Sequence, residues 1–552
     1  MKSKLLSCTG LLLAIVLISG CNSEKAKSEK SDNDVKVADA QRIKSHIRFL
    51  ADDLLEGRDT GSRGHEIASL YIAAEFEKYG LTPAGDNDSY LQRINFVQAN
   101  LDQSSVELSL KGVNGETKLS YPKQFLTYAN PEQTHTNMAG KLVFVGYGIV
   151  APELQHDDYQ GVDVKGKVVV VLSGKPKSFP SEEGAHFGST SEKLRHASEN
   201  GAVGYISIST PTAETVRPYQ NLLNYIHTPR VKWLDVNGQV SGVYPEIKGT
   251  AYFSKEAAAI LFENAELSLE QIYSMLENDE SPKGFDLEVE VTLASTSNHK
   301  TISSPNVAAI VEGSDPELKS EYIVYSAHSD HIGFAKTVKK DKINNGAMDN
   351  ATGTAVLLET ARLFSLLEVK PKRSLLFVAV TGEEKGLLGS DYFAQNPTVP
   401  SESLVANVNL DMPILTYEFA DVIAFGADHS DLKESVANAA EKIGLTLSPD
   451  PLPDQALFTR SDHYSFVKQG VPSVFLVPGF QSADPEVDGG KQFREFLKTN
   501  YHKPGDDFNQ VFNWKAATKF AEVNYHIGLT LADQAKRSSW NEGDFFGDTF
   551  SN

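Results

Sequence analysis

The chain has 552 residues, too many for one compact core, and its length suggests roughly two to four units. Hydrophobic residues make up 40% and charged residues 23%, ordinary proportions for a soluble globular protein. The 73 acidic and 52 basic side chains give a net charge of -21, a surface that repels phosphate backbones and argues against nucleic acid as a partner. The two cysteines, Cys8 and Cys21, both fall in the first 21 residues, so the remainder can build neither a disulfide nor a thiolate metal site.

Lys2 and Lys4 precede a mainly apolar run, Leu5 to Ile18. This pattern predicts a secretory signal over residues 1–20 and is short for a membrane span. The run ends Ile18-Ser19-Gly20-Cys21, which resembles the lipobox of bacterial lipoproteins. The resemblance implies that Cys21 carries a lipid and that the mature protein is anchored in a bacterial cell envelope. Asn22, not Asp, follows the cysteine, which by the same resemblance favours the outer membrane. Residues 21–36 are rich in Lys, Glu and Ser and read as a flexible tether.

From Val37 to about Ala99 the pattern reads as helical, with apolar sets Ile43, Ile47, Leu50 and then Ile67, Leu70, Ala74. The polar, glycine-rich stretch Glu56 to Gly64 between them reads as a turn or a substrate-facing loop. Residues 37–140 are expected to form the N-terminal part of the main domain. Residues 141–290 change texture to short β-like runs, among them Leu142 to Tyr147, Lys167 to Leu172 and Val203 to Ile208. Within them, Asp157 to Leu172 resembles the protease-associated domain inserted in many secreted peptidases. Residues 291–535 alternate strand, loop and helix, with strands at Tyr322 to Ala327, Ser374 to Thr381, Leu404 to Leu410 and Val471 to Val477. The expected fold class is therefore α/β, a mainly parallel sheet flanked by helices, carrying a β-rich insertion. Residues 536–552 read as a polar tail.

The ends of these strands concentrate chemistry. The first runs into His328-Ser329-Asp330-His331, the second into Gly382-Glu383-Glu384, the third into Asp411. Asp349 stands just ahead of the helix predicted from Ala351, and His502 lies in a turn-rich loop, Tyr501 to Asp507. Ligand sites in open α/β sheets form at the carboxyl ends of strands, so these groups converge on one edge. Two histidines and several carboxylates without a thiolate suit a borderline divalent metal such as zinc. No His-Glu-x-x-His helix is present, which excludes that type of metallopeptidase.

The order of these motifs resembles the co-catalytic zinc aminopeptidase family that includes bacterial leucyl aminopeptidase, aminopeptidase Y and glutamate carboxypeptidase. The resemblance implies a zinc exopeptidase sandwich with two Zn2+ ions. It implies His328 and Asp411 on one metal, Glu384 and His502 on the other, and Asp349 bridging both. It also implies Glu383 as general base on a water shared by the metals, Asp330 orienting the His328 imidazole, and a cis peptide at Asp349-Asn350. Such a pair of metals acidifies the water and polarises the scissile carbonyl. Some relatives have a tyrosine where Arg460 stands, so Arg460 is a candidate substrate contact whose role departs from theirs. Ser461-Asp462-His463 cannot form a nucleophilic triad, because contiguous residues do not reach that relay geometry, and His463 is expected to be structural. His331 is given no role.

The expected activity is removal of N-terminal residues from peptides. Carboxypeptidase or dipeptidase activity on the same fold is the alternative, decided by whether the pocket neutralises an amine or a carboxylate. A metal-free binding protein is disfavoured, since every ligand position and the base are present.

Overall fold

Asp39 and Ser62 each adopt extended backbone and cap a helix, their side chains accepting free N–H groups in the first turns of α1 (Ala40–Leu50) and α2 (Arg63–Lys78). The computed structural model describes residues 37–551, so the expectations for the signal, Cys21 and the tether lie outside the described residues. Helical pattern ends earlier than the sequence suggested. The run from Leu91 alternates buried Gln92, Ile94 and Phe96 with exposed Arg93 and Asn95, and this two-residue period makes a strand, β1 (Leu91–Gly112).

The next elements are β2 (His135–Phe144), β3 (Val168–Leu172), α3 (Ser181–Gly188), β4 (Gly204–Ile208) and β5 (Thr250–Phe253). β2 to β5 pair in parallel in that order. A long strand, β6 (Phe285–Val311), pairs antiparallel with β1 over most of its length and also with β2. This ribbon carries the sheet from one core into the other.

Beyond it lie β7 (Tyr322–His328), α4 (Thr352–Ser365), β8 (Ser374–Val380), β9 (Leu404–Leu410), β10 (Asp421–Phe425), β11 (Thr446–Ser448), β12 (Ser473–Pro478), α5 (Trp514–Asp533) and α6 (Phe545–Phe550). The sheet runs β11-β10-β12-β9-β7-β8-β6-β2-β3-β4-β5, with β8, β7, β9 and β12 parallel. β7 shows why these strands read as continuous apolar runs. Ile323, Tyr325 and Ala327 face the core shared with α1, α2, α4 and α5, while Val324 packs on the opposite face with Leu376 and Phe466.

The second core gathers Leu142, Val168, Ile206, Phe253 and Leu293. It also takes in Leu108, Leu110 and Phe125, which precede the boundary expected at Lys141. The shift is physical: β1 passes unbroken between the two cores, so composition changes well after the chain has crossed. The polar tail also needs correction. Phe546 is fully buried, and the Trp540 indole donates to the Gly470 carbonyl at 2.9 Å.

α3 docks this second region on the main body. Glu182 accepts the Gly426 N–H at 2.8 Å and lies 2.7 Å from His429 Nε2, whose Nδ1 is 2.6 Å from Asp544. One imidazole thus joins α3, the loop after β10 and the C-terminal segment. Among the described residues, no helix is long and apolar enough to cross a membrane.

Candidate metal centre

Parallel register brings the strand ends level. His328 at the end of β7 pairs with Val380, the last residue of β8, and Ser326 pairs with Asn409, one residue before the end of β9. β8 leaves the sheet through Thr381 and Gly382, whose φ of 70° suits glycine, and so delivers Glu383 and Glu384. Asp411 follows β9 directly. Asp349 lies in the turn Ala347–Ala351 ahead of α4, entered at Gly346 and containing a cis Asp349-Asn350 peptide. At Gly346 a Cβ would stand 2.3 Å from the Asp349 carbonyl and 2.6 Å from His331 Cγ, so no larger residue fits. His502 comes from the loop between the helix Gly489–Thr499 and α5.

These side chains form two groups that share Asp349. The His328 Nε2 lies 3.0 Å from Asp411 Oδ1 and 3.3 Å from Asp349 Oδ1. The His502 Nε2 lies 3.2 Å from Asp349 Oδ2 and 3.1 Å from Glu384 Oε2. Donor atoms around a tetrahedral ion bound at about 2.0 to 2.1 Å stand roughly 3.3 Å apart, so both groups have the spacing of a first coordination sphere. The Glu383 carboxylate, 4.0 Å from His328 Nε2, joins neither group closely.

The buried chemistry also fits a cation. Among the described residues, Glu384 Oε1 and both nitrogens of His331 complete no directed hydrogen bond. Burial alone would lower the His328 and His502 imidazoles, but Asp411 and Glu383 around the first, and Glu384 beside the second, raise both well above the usual histidine range. Burial and Glu384 push the Asp349 carboxyl up, yet its contacts with His328 and His502 outweigh them and hold it low. Glu383 is driven well above the carboxylate range, chiefly by burial. Protons on the histidines here balance clustered carboxylates, and a divalent ion would take over that balance by displacing them.

Residues around the two groups fix them in place. The Asp330 carboxylate is not what turns His328. Its Oδ1 lies 3.9 Å from Nδ1, beyond hydrogen-bond reach, while the Asp330 carbonyl oxygen lies at 3.1 Å. The carboxylate instead accepts the Glu383 N–H at 3.2 Å and the Thr60 hydroxyl at 3.0 Å, tying the turn after β8 to the glycine-rich loop. From that loop Arg58, 1% exposed, donates to the carbonyls of Ser329, Asn345 and Gly346 at 3.0, 2.6 and 3.0 Å, and to Leu50. Glu56 to Gly64 therefore supplies the floor of the site.

Ser461, Asp506 and Asn350 were not singled out for this site. The Ser461 hydroxyl donates to Asp411 Oδ2 at 2.6 Å and receives the Asn409 amide at 2.6 Å. Asp506 accepts the N–H groups of Met348 and Asp349. Asn350 accepts the N–H groups of Gly353 and Met412. His463 is fully buried between Phe458 and Phe475, and burial depresses it to about 3, so it is neutral and packs as an aromatic ring. The half-buried Arg460 side chain donates to the Gln455 carbonyl at 3.4 Å.

Comparison with known proteins gives a consistent picture. Residues 306–527 match peptidase family M28. The chain is 32% identical to aminopeptidase YwaD of Bacillus subtilis (strain 168) over 205 residues, 35% of this chain and 38% of that protein. It is 49% identical to a probable zinc metalloprotease of Pyrenophora tritici-repentis (strain Pt-1C-BFP) over 67 residues, 12% of this chain and 15% of that protein. The chain thus spans well under half the length of these two relatives. Among solved structures, the aminopeptidase from Aneurinibacillus sp. strain AM-1 shares the fold at a TM-score of 0.52 and 20% identity, covering 91% of this chain and 96% of that one.

Proposed function

We propose that the protein is a zinc-dependent exopeptidase, an aminopeptidase that removes N-terminal residues from peptides, on the ground that residues 306–527 match peptidase family M28. The observation that carries this reading is the bridge at Asp349, whose two oxygens lie 3.3 Å from His328 and 3.2 Å from His502. His328, Asp411 and Asp349 would hold one zinc ion; His502, Glu384 and Asp349 would hold a second. When bound, such ions make a water acidic and polarise the scissile carbonyl.

The remaining steps fall to side chains. Glu383 stands beside the ligand groups without belonging to them, and burial favours its uptake of a proton. It takes a proton from the attacking water as the oxygen bonds to the carbonyl carbon. It then gives that proton to the departing nitrogen as the C–N bond breaks, leaving a free carboxylate and a shortened peptide with a new amine. Asp330 and Thr60 keep the Glu383 backbone at the right depth.

Carboxypeptidase or dipeptidase activity at the same site has one observation in its favour. The Arg217 guanidinium, on an exposed residue of the second region, is held down to about 10 chiefly by the nearby Arg460 guanidinium, with the Tyr501 hydroxyl opposing. Tyr501 stacks on His502 at 3.8 Å. A pair of neighbouring guanidinium groups would welcome a carboxylate. Purified protein assayed with zinc against aminoacyl p-nitroanilides and against N-blocked peptides with a free carboxyl separates the readings. Turnover of the first class alone supports the aminopeptidase, turnover of the second class alone supports the alternative, and turnover of neither removes the peptidase reading.

Two expectations join this proposal. Residues 141–290, read as a protease-associated domain, would limit which peptides reach the metals from their docked position against Gly426 and Tyr464. Lipid on Cys21 would hold the enzyme at the cell envelope.

A further inference from the structure

His331 follows two strong candidates, His328 and Asp330, and an adjacent histidine is ordinarily unremarkable. Its setting here is unusual. The side chain is fully buried. Its backbone N–H donates to the Arg58 carbonyl at 3.1 Å, which fixes the residue to the floor of the site. Its ring is confined on one side by Gly346, where any Cβ would stand 2.6 Å from Cγ. On another side it meets the His502 ring edge-on, with centroids 5.6 Å apart.

Within that slot the His331 Nδ1 lies 2.7 Å from Glu384 Oε1. The other oxygen of the same carboxylate, Oε2, lies 3.1 Å from His502 Nε2. The two histidines therefore divide Glu384 between them. Among the described residues neither His331 Nδ1 nor Glu384 Oε1 has another hydrogen-bond partner, and the contact between them is close but imperfectly directed. A buried carboxylate left with one free oxygen can rotate and offer both oxygens, or the wrong one, to an ion. A donor fixed on Oε1 removes that freedom.

We propose that His331 is a positioning residue for the second metal: its Nδ1–H holds Oε1 of Glu384 and leaves Oε2 to face the ion. The proposal rests on the metal reading of the site given above. His331, Asp349 and Glu384 lie near enough for His331 to be considered a ligand itself. The contacts favour the positioning role, because His502 already lies within 3.2 Å of both Asp349 and Glu384, while His331 lies against the oxygen His502 does not take. Partners that orient a metal-binding group in this way typically carry 10- to 100-fold in metal affinity.

The test uses full-length protein stripped with chelator, titrated calorimetrically with zinc and separately loaded with cobalt for its visible spectrum. Wild type is measured first: failure to bind any divalent ion would remove the metal reading itself, whereas the remaining outcomes concern His331 alone. His331→Asn places an amide nitrogen near the position of Nδ1, and His331→Gln places one near Nε2. The expected result is one site of unchanged affinity in every variant, with the second weakened by roughly 10- to 100-fold in His331→Gln and His331→Leu and largely restored in His331→Asn. The fully loaded cobalt spectra should match wild type in intensity, since no ligand is lost. Two unchanged affinities in folded His331→Gln would overturn the proposal, and so would an asparagine variant as weak as the glutamine one with an altered cobalt spectrum, which would make His331 a ligand. Should the leucine variant fail to fold, the asparagine and glutamine pair decides alone.

Discussion

The backbone N–H of Asp349 donates to Oδ2 of Asp506 at 3.0 Å, and the preceding N–H, of Met348, donates to Oδ1 at 2.8 Å. The loop that supplies His502 thus also grips the backbone of the residue that His502 must share with His328. Removing the grip leaves two buried N–H groups without partners, at about 1 to 3 kcal/mol each. Asp506→Ala should therefore lose on the order of 3 kcal/mol of stability in the metal-free protein, and both metals should weaken together if Asp349 serves both as proposed. Urea denaturation in chelator and zinc titration check the two halves. A variant that binds one ion normally and loses only the other would contradict the shared grip.

Glu383 and Glu384 are neighbours with different expected fates. Glu384 is proposed as a ligand and Glu383 as the base. Glu383→Ala should keep zinc at wild-type stoichiometry and lose turnover by a factor on the order of a hundred or more. Glu384→Ala should lose one ion. Metal analysis beside a single peptidase assay checks both, and a Glu383→Ala enzyme of normal rate would refute its role as base.

Much of this site is legible in sequence because parallel strands buried on both faces are continuous apolar runs, and their ends mark where side chains leave the sheet. His328, Glu383, Glu384 and Asp411 sit at such ends. The supporting residues are not legible in the same way. Ser461 acts on Asp411, 50 residues away, and Arg58 on Asn345 and Gly346, almost 290 residues away. No local pattern records such pairings. The strand from Leu91 was hidden for a different reason: its alternation includes a buried glutamine, Gln92, whose partners Asn396 and Asn306 come from far along the chain. The packed C-terminal segment escaped because a few aromatic residues, Trp540, Phe545 and Phe546, carry its burial amid polar neighbours.

Location tests a reading that the folded domain does not address. Replacing Cys21 with Ser should abolish lipid attachment and move the protein from the membrane fraction to the soluble one, with the zinc content of the folded part unchanged. Fractionation with labelled fatty acid checks this, and label retained in Cys21→Ser would contradict the lipobox reading.

The last prediction concerns the contact that joins α3 to the main body. His429 lies between Glu182 at 2.7 Å and Asp544 at 2.6 Å. Burial alone would lower this imidazole, but the two carboxylates outweigh it and raise it to about 9, while burial raises the Glu182 carboxyl and the nearby Asp428 adds to that rise. A histidine whose folded pKa exceeds its unfolded value near 6.5 contributes stability that is fully present below that value and is lost as pH rises through 9. The raised Glu182 carboxyl acts in the same sense, but its window lies at acid pH, below that of His429. The wild-type protein should therefore lose on the order of 2 kcal/mol between pH 6.5 and pH 9.5 from this group. His429→Gln, which keeps hydrogen-bonding capacity and cannot titrate, should start less stable at pH 6.5 and show a flatter profile over the same range. Because His429 touches both α3 and the C-terminal segment, protease cleavage of the region around residues 181–188 should rise with pH in wild type and change little in the variant. Parallel pH profiles for the two proteins would show that the imidazole does not carry the charge that binds these segments together.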